Sequence, residues 1–209
     1  MRLLGAGPSP YARKVRIALH EKGVPFELVT EVPWNAGATA PQYNPLGKIP
    51  VLILDDGECY YESRFILEYL ELRYPHPPIY PRAREQLLAA KRLEVLADGA
   101  SDAIVLVFME RQRAEAHRSA PWLDRQQAKI TAAVDEIARR IGAVSTYAVG
   151  DSFGLADIAV GTLLQFMDTR YPELPWRQHG NLGALTERLW QRSSFLQTVP
   201  TTQTVIGVV

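Results

Sequence analysis

The chain has 209 residues, 47% of them hydrophobic and 22% charged, which is enough apolar side chain for one large domain or two small ones and excludes a disordered composition. Its 23 Lys and Arg are balanced by 23 Asp and Glu, so it lacks the net positive field expected of a nucleic-acid or anionic-membrane binder. No apolar run approaches a membrane span and the N-terminus lacks the charged, apolar and cleavage regions of a signal peptide, so a cytoplasmic protein is expected.

A short strand is predicted over Arg2–Leu4, followed by an amphipathic helix over Pro10–Lys22. In that helix Val15, Ala18, Leu19 and Lys22 recur at helical spacing, and Gly23 supplies a C-terminal stop. Strands are predicted over Phe26–Glu31, Val51–Leu54 and Glu58–Tyr61, and a helix over Arg64–Tyr74. The order is βαβ followed by ββα. The second strand is expected to run parallel to the first through a right-handed crossover. Asp55–Asp56–Gly57 is a hairpin signal between the last two strands. The segment Pro75–Pro81 is too proline-rich for either element and reads as a linker. Beyond it, Arg84–Arg113, Pro121–Ile141, Leu155–Tyr171 and Leu182–Arg192 show helical spacing, and no strand is predicted.

Three places in the N-terminal third carry chemistry. Ser9 reads as the N-cap of the first helix with Pro10 as its first residue, and the unpaired N–H groups of such a turn favour an anion. A serine there either caps the helix or holds a thiolate. In Asn44–Pro45–Leu46–Gly47–Lys48–Ile49–Pro50, a proline stands at the start of a strand after a Gly turn. The Ile49–Pro50 bond is a cis candidate that would offer the Ile49 main chain to an extended peptide, or Pro50 is an edge-strand proline. At Glu62–Ser63, Ser63 reads as the N-cap of the next helix. Ser63 and the neighbouring N–H groups suit a carboxylate and Glu62 suits an ammonium, although Ser63 alone is also an ordinary cap.

Taken with the βαβ–ββα order, these motifs resemble the thioredoxin-like domain of the glutathione transferases. The helical second half, including Gly150–Asp151–Ser152–Phe153–Gly154–Leu155–Ala156–Asp157–Ile158, resembles that family's C-terminal domain. The runs SPYARKVRIAL, NPLGKIPVL and LEVLADGASDA are similar to bacterial members. The resemblance covers essentially the whole chain. It implies an α/β thioredoxin-like domain over 1–76, a linker over 77–83 and an all-α domain over 84–209.

The resemblance also implies roles. Ser9 would lie beside the glutathione sulfur as the catalytic hydroxyl. Ile49 would pair with the cysteinyl unit through its main chain, Glu62 and Ser63 would clamp the γ-glutamyl end, and Lys48 would meet the glycyl carboxylate. Asp98 falls where family members reach across a twofold homodimer to the γ-glutamyl ammonium; an exposed acidic face shared with Asp102 is the alternative. Glutathione would be co-substrate, with no metal. The second substrate would be a small hydrophobic electrophile in a pocket between the domains, with Tyr11, Trp34, Val105, Leu106 and Met109 as candidates. Detoxification is the implied role, and a glutathione-dependent reductase or isomerase and a non-enzymatic binding protein are the rivals. Two departures matter. No tyrosine precedes Tyr11 and no cysteine stands at Ser9, so activation by those residue types is not available in its usual place. Gly154 stands where the family has a Ser or Thr cap, leaving Asp157 to reach back to the Gly154 N–H.

Other features carry less. Cys59, the single cysteine, excludes an internal disulfide and reads as a buried strand residue, and the four histidines lack metal-ligand spacing. Arg13, Lys14 and Arg16 oppose the dipole at a helix start and read mostly as a solvated face. Gly150–Gly154 also matches the G-x-S-x-G elbow of α/β-hydrolases, with Asp168 and His179 following in order, but long helices stand where that elbow needs a parallel sheet.

Overall fold

The structure is a computed structural model that describes residues 1–143 and 146–203. It forms two compact units, one built from Met1–Ile79 with the segment from Ser193 onward, the other from Tyr80–Arg192.

In the first unit, strand β1 (Arg2–Gly5) leads into helix α1 (Pro10–Glu21), and β2 (Glu27–Thr30) returns parallel to β1. A one-turn helix α2 (Ala40–Tyr43) precedes β3 (Val51–Ile53), which pairs antiparallel with both β1 and β4 (Cys59–Tyr61). Helix α3 (Ser63–Arg73) follows, and the sheet order is β2-β1-β3-β4. The hairpin forms as its turn signal requires. Gly57 takes a φ of 90°, a region its missing Cβ opens, and the Leu54 N–H donates to Glu58 O at 2.9 Å.

Alternation along the strands divides the core. Leu4, Val51 and Ile53 pack with Ala40 on one face, which is how the short α2 finds its place. Leu3 and Leu52, both 0% exposed, occupy the other register positions. The sequence reading missed α2 because four residues including a proline show no periodicity. It also placed the start of α3 one residue late: Glu62 is the cap and Ser63 already helical, with Glu62 at φ 72°, the one non-glycine residue at positive φ among those described.

The linker is tied to this unit by one buried ammonium. Lys22 Nζ donates to Glu71 Oε2 at 2.8 Å, Tyr74 O at 2.7 Å and Pro77 O at 3.0 Å, using all three of its protons. The same Glu71 oxygen accepts the Ile79 N–H at 3.1 Å.

The segment from Ser193 onward returns to α1. Helix α8 (Ser193–Leu196) groups with the first unit, whereas the sequence reading places it with the helical half. Its Ser194 hydroxyl donates to Glu21 Oε1 at 2.5 Å. This return overturns the reading of the basic trio as a solvated face. Arg13 is 1% exposed, because α8 and the residues after it lie over that side of α1, and Lys14 is 2% exposed.

The second unit holds α4 (Arg84–Gln112), α5 (Ala120–Ile141), α6 (Leu155–Arg170) and α7 (Gly180–Leu189). Helix α6 is buried along nearly its whole length, while α5 buries one stripe of Ile130, Val134 and Ile137. No described helix is long and apolar enough to cross a membrane.

Candidate functional site

The sheet register brings three predicted places to one end of the first unit. Leu4 lies opposite Val51, and Val51 opposite Tyr61. The loop leaving β1 toward Ser9, the loop entering β3 at Ile49 and the loop leaving β4 at Glu62 therefore open on the same end of the sheet. Residues some 40 and 50 positions apart are gathered there by strand pairing alone.

Ser9 caps α1 with extended backbone, φ −70° and ψ 119°. Its Oγ accepts the Ala12 N–H at 3.2 Å and its carbonyl accepts the Arg13 N–H at 3.0 Å. The Ser9 N–H donates to Ala6 O at 3.1 Å, Pro10 has no N–H, and the first turn contains no acidic residue to oppose the positive end of the helix. The two roles offered for Ser9 are compatible: its oxygen accepts from Ala12 while its own proton points elsewhere.

The entry to β3 is shaped by Asn44, which is 1% exposed. Its Nδ2 donates to Lys48 O at 2.8 Å and its Oδ1 accepts the Leu46 N–H at 2.9 Å, while Gly47 N–H donates to Asn44 O at 2.8 Å. Sequence reading missed this residue, although an Asn ahead of a Pro-x-Gly turn is a recognisable turn former. Lys48 is exposed, Ile49 is half-buried, and the Ile49–Pro50 bond is cis. Neither main-chain group of Ile49 is hydrogen-bonded among the described residues.

At the third place Ser63 is 1% exposed and its hydroxyl lies 3.4 Å from Glu62 Oε1. Arg64 Nε is 3.4 Å from the other carboxylate oxygen of Glu62. Helix α3, like α1, has no acidic residue in its first turn. Its start thus presents donors beside a carboxylate, a pairing suited to the two charged ends of an amino acid.

The remaining predicted residues are placed as follows. Tyr11 is half-buried on α1 and Trp34 is 39% exposed after β2. Val105 and Met109 stand one turn apart on α4, both half-buried, and Leu106 beside them is 41% exposed. Asp98 is on α4 and 8% exposed, while Asp102 is exposed, so the two do not share one solvated face. Cys59 is half-buried, its Sγ 3.4 Å from Gly57 O.

The hydrolase match dissolves in the structure. Asp168 holds Arg177 through two bonds of 2.6 Å and the Trp176 indole N–H at 2.8 Å. His179 instead meets Asp135 at 2.8 Å, and Ser152 is exposed in a turn before α6. What Gly150–Asp157 builds is a helix cap. Asp157 accepts the Gly154 N–H at 2.9 Å and the Ala148 N–H at 2.8 Å. Burial pushes its carboxyl up to about 6, against the opposing pull of those N–H groups. Among the described residues, no three His, Cys, Asp or Glu side chains converge as a metal site would require.

Comparison with known proteins agrees with this architecture. Residues 8–73 match the model of the glutathione S-transferase N-terminal domain and residues 120–191 that of the C-terminal domain. The chain is 38% identical over 205 residues to the uncharacterized GST-like protein YibF of Escherichia coli K12, covering 96% of this chain and 98% of that protein. It superposes with a TM-score of 0.96 and 56% identity on a glutathione S-transferase of Methylobacterium radiotolerans in complex with glutathione sulfonate, covering 99% of this chain and 97% of the other. A glutathione S-transferase of Methylobacillus flagellatus with glutathione bound gives a TM-score of 0.90 at 38% identity, covering 96% and 99%. With both halves matched and relatives aligned from end to end, the chain belongs to the glutathione S-transferase family.

Proposed function

We propose that this chain is a glutathione transferase in which Ser9 stabilises a glutathione thiolate that attacks a small hydrophobic electrophile. The observation that carries the reading is the start of α1, where Ser9 oxygen accepts from Ala12 and leaves the hydroxyl proton for a sulfur. A free thiol titrates near ~8.5, so only a few per cent is ionised at neutral pH. Each unit of depression corresponds to about 1.36 kcal/mol of preference for the thiolate. A hydroxyl donor and a helix start together supply that scale of stabilisation.

The peptide is held by Ile49 through its main chain, by Glu62 and Ser63 at the γ-glutamyl end and by Lys48 at the glycyl carboxylate. The glutathione in the related structures supports this reading. The electrophile meets Tyr11, Trp34, Val105, Leu106 and Met109. The protein acts in the cytoplasm as a homodimer in detoxification, with Asp98 completing the partner's glutathione site.

A thermal scan with saturating glutathione tests the binding half. The midpoint rises for the parent, since the ligand binds only the folded chain, and a hundredfold excess over Kd corresponds to about 2.7 kcal/mol. The rise is lost in the Glu62→Ala, Ser63→Ala double variant. An unchanged rise in that variant would place the ligand elsewhere. Turnover of a model aryl halide tests the chemical half and separates a transferase from a binding protein.

A further inference from the structure

Arg13 is a charged side chain buried in the first unit. The side chain is 1% exposed, yet its partners are neutral: Nε donates to Thr198 Oγ1 at 3.3 Å, Nη2 to Phe195 O at 3.4 Å, and the guanidinium lies 5.2 Å from the centre of the Phe195 ring. Nη1 is buried with no hydrogen-bond partner. No carboxylate is among its hydrogen-bond partners; of the elements that pack on α1, α3 carries Glu68 and Glu71, the latter held by Lys22. Residues 193–203 contain no Asp or Glu, and within Pro10–Lys22 the one acid is Glu21, which accepts from Ser194. Lys14 and Arg16 add charge of the same sign, and Arg16 Nη2 donates to Gln197 O at 3.2 Å. A buried cation without an anion works against stability, so its place calls for a reason other than the fold.

Its place is one helical turn beyond Ser9, whose carbonyl accepts the Arg13 N–H at 3.0 Å. Side chains on a helix lean toward the N-terminus, so Arg13 leans toward the turn that Ser9 begins. The chain that holds it continues to that same turn. A Cβ on Gly7, two residues before Ser9, would stand 2.0 Å from Thr201 Oγ1, so Thr201 lies close against the Gly7 main chain. Residues 195–201 thus run from the guanidinium to the approach of Ser9.

We infer that Arg13 is a positioning residue for the thiolate: its uncompensated charge, held beside the Ser9 turn by residues 195–198, helps keep the sulfur of bound glutathione ionised. The inference rests on the proposed function and adds a group that acts through the field rather than by contact. Desolvation, with a further push from Arg16, lowers the guanidinium to about 9, which leaves it charged at neutral pH.

The test is titration of the thiolate absorbance of glutathione bound to saturation, in the parent, Arg13→Met, Arg13→Gln, Arg13→Lys and Thr198→Val. Methionine is included because a packed apolar side chain of similar length replaces a buried charge with little loss of fold. The expected result is a bound-thiol pKa about one unit higher in Arg13→Met and Arg13→Gln, with an equal shift in the pH profile of kcat/KM. Arg13→Lys and Thr198→Val should stay near the parent value. A parental pKa in both uncharged variants overturns the inference, and so does a rise in all four, which would make the effect one of packing. A parent whose bound thiol titrates like free glutathione overturns the proposed function, and the role of Arg13 with it.

Discussion

Helices α1 and α6 begin with the same problem and solve it in opposite ways. Each opens with main-chain N–H groups that the helix itself leaves without partners. At α6 the chain closes its own start: the Asp157 carboxylate, 1% exposed, accepts the Gly154 N–H and the Ala148 N–H and adds a negative charge in the first turn. At α1 the acceptors are neutral, Ala6 O for the Ser9 N–H and the Ser9 hydroxyl for the Ala12 N–H, and the charged neighbours Arg13, Lys14 and Arg16 are all cationic. A helix start sealed by its own acid is part of the scaffold. One left without an acid and surrounded by buried positive charge is suited to an anion from outside the chain.

The contrast is sharpest under substitution. Asp157→Ala leaves two buried N–H groups without acceptors and should cost about 3 kcal/mol of stability, read by denaturant unfolding, with glutathione affinity per folded molecule unchanged. A loss of binding without a loss of stability would reverse the roles assigned to the two helix starts.

Ser9→Ala should do the converse. It removes one cap bond, for about 1 kcal/mol of stability, but lowers kcat/KM for a model aryl halide by roughly 10–100-fold as the bound thiol pKa rises by about 1–2 units. Glutathione affinity should barely change. A variant with parental rate and pKa would leave Ser9 as a cap only.

A smaller effect is a pH signature of the closed start. The folded Asp157 carboxyl titrates at about 6 against 3.8 for the free group, because burial disfavours its charge. Between those values the folded chain holds a proton that the unfolded chain releases, so this group's contribution to stability falls as pH rises from about 4 to about 6 and is level above. Asp157→Asn should remove that slope from the pH dependence of unfolding. An identical slope in the variant would assign it to another group.

The smallest expected effect concerns α4. Asp98→Ala should weaken glutathione binding by about 3–10-fold while sedimentation still shows a dimer, if the carboxylate serves the partner's site. Unchanged affinity would make Asp98 a structural residue of its own helix, consistent with its burial.

What could be read without coordinates was what the chain decides over a few residues. The Ser9–Pro10 helix start, the Asp55–Gly57 hairpin and the reach of Asp157 back to Gly154 all join groups that are close in sequence, so residue type and spacing suffice. The parallel pairing of β2 with β1 also followed from local elements together with the handedness of the crossover. Tertiary structure alone decided the rest. The burial of Arg13 depends on Thr198, 185 residues away, and the place of α2 depends on a sheet face completed by β3. The positive φ of Glu62 has no signature in residue type, since the surrounding chain imposes it. A single sequence shows that a helix carries three basic residues near its start. Only the fold shows that the residues after α7 return to meet Arg13 and Arg16, because a charge is solvated or buried according to partners that local spacing does not reveal.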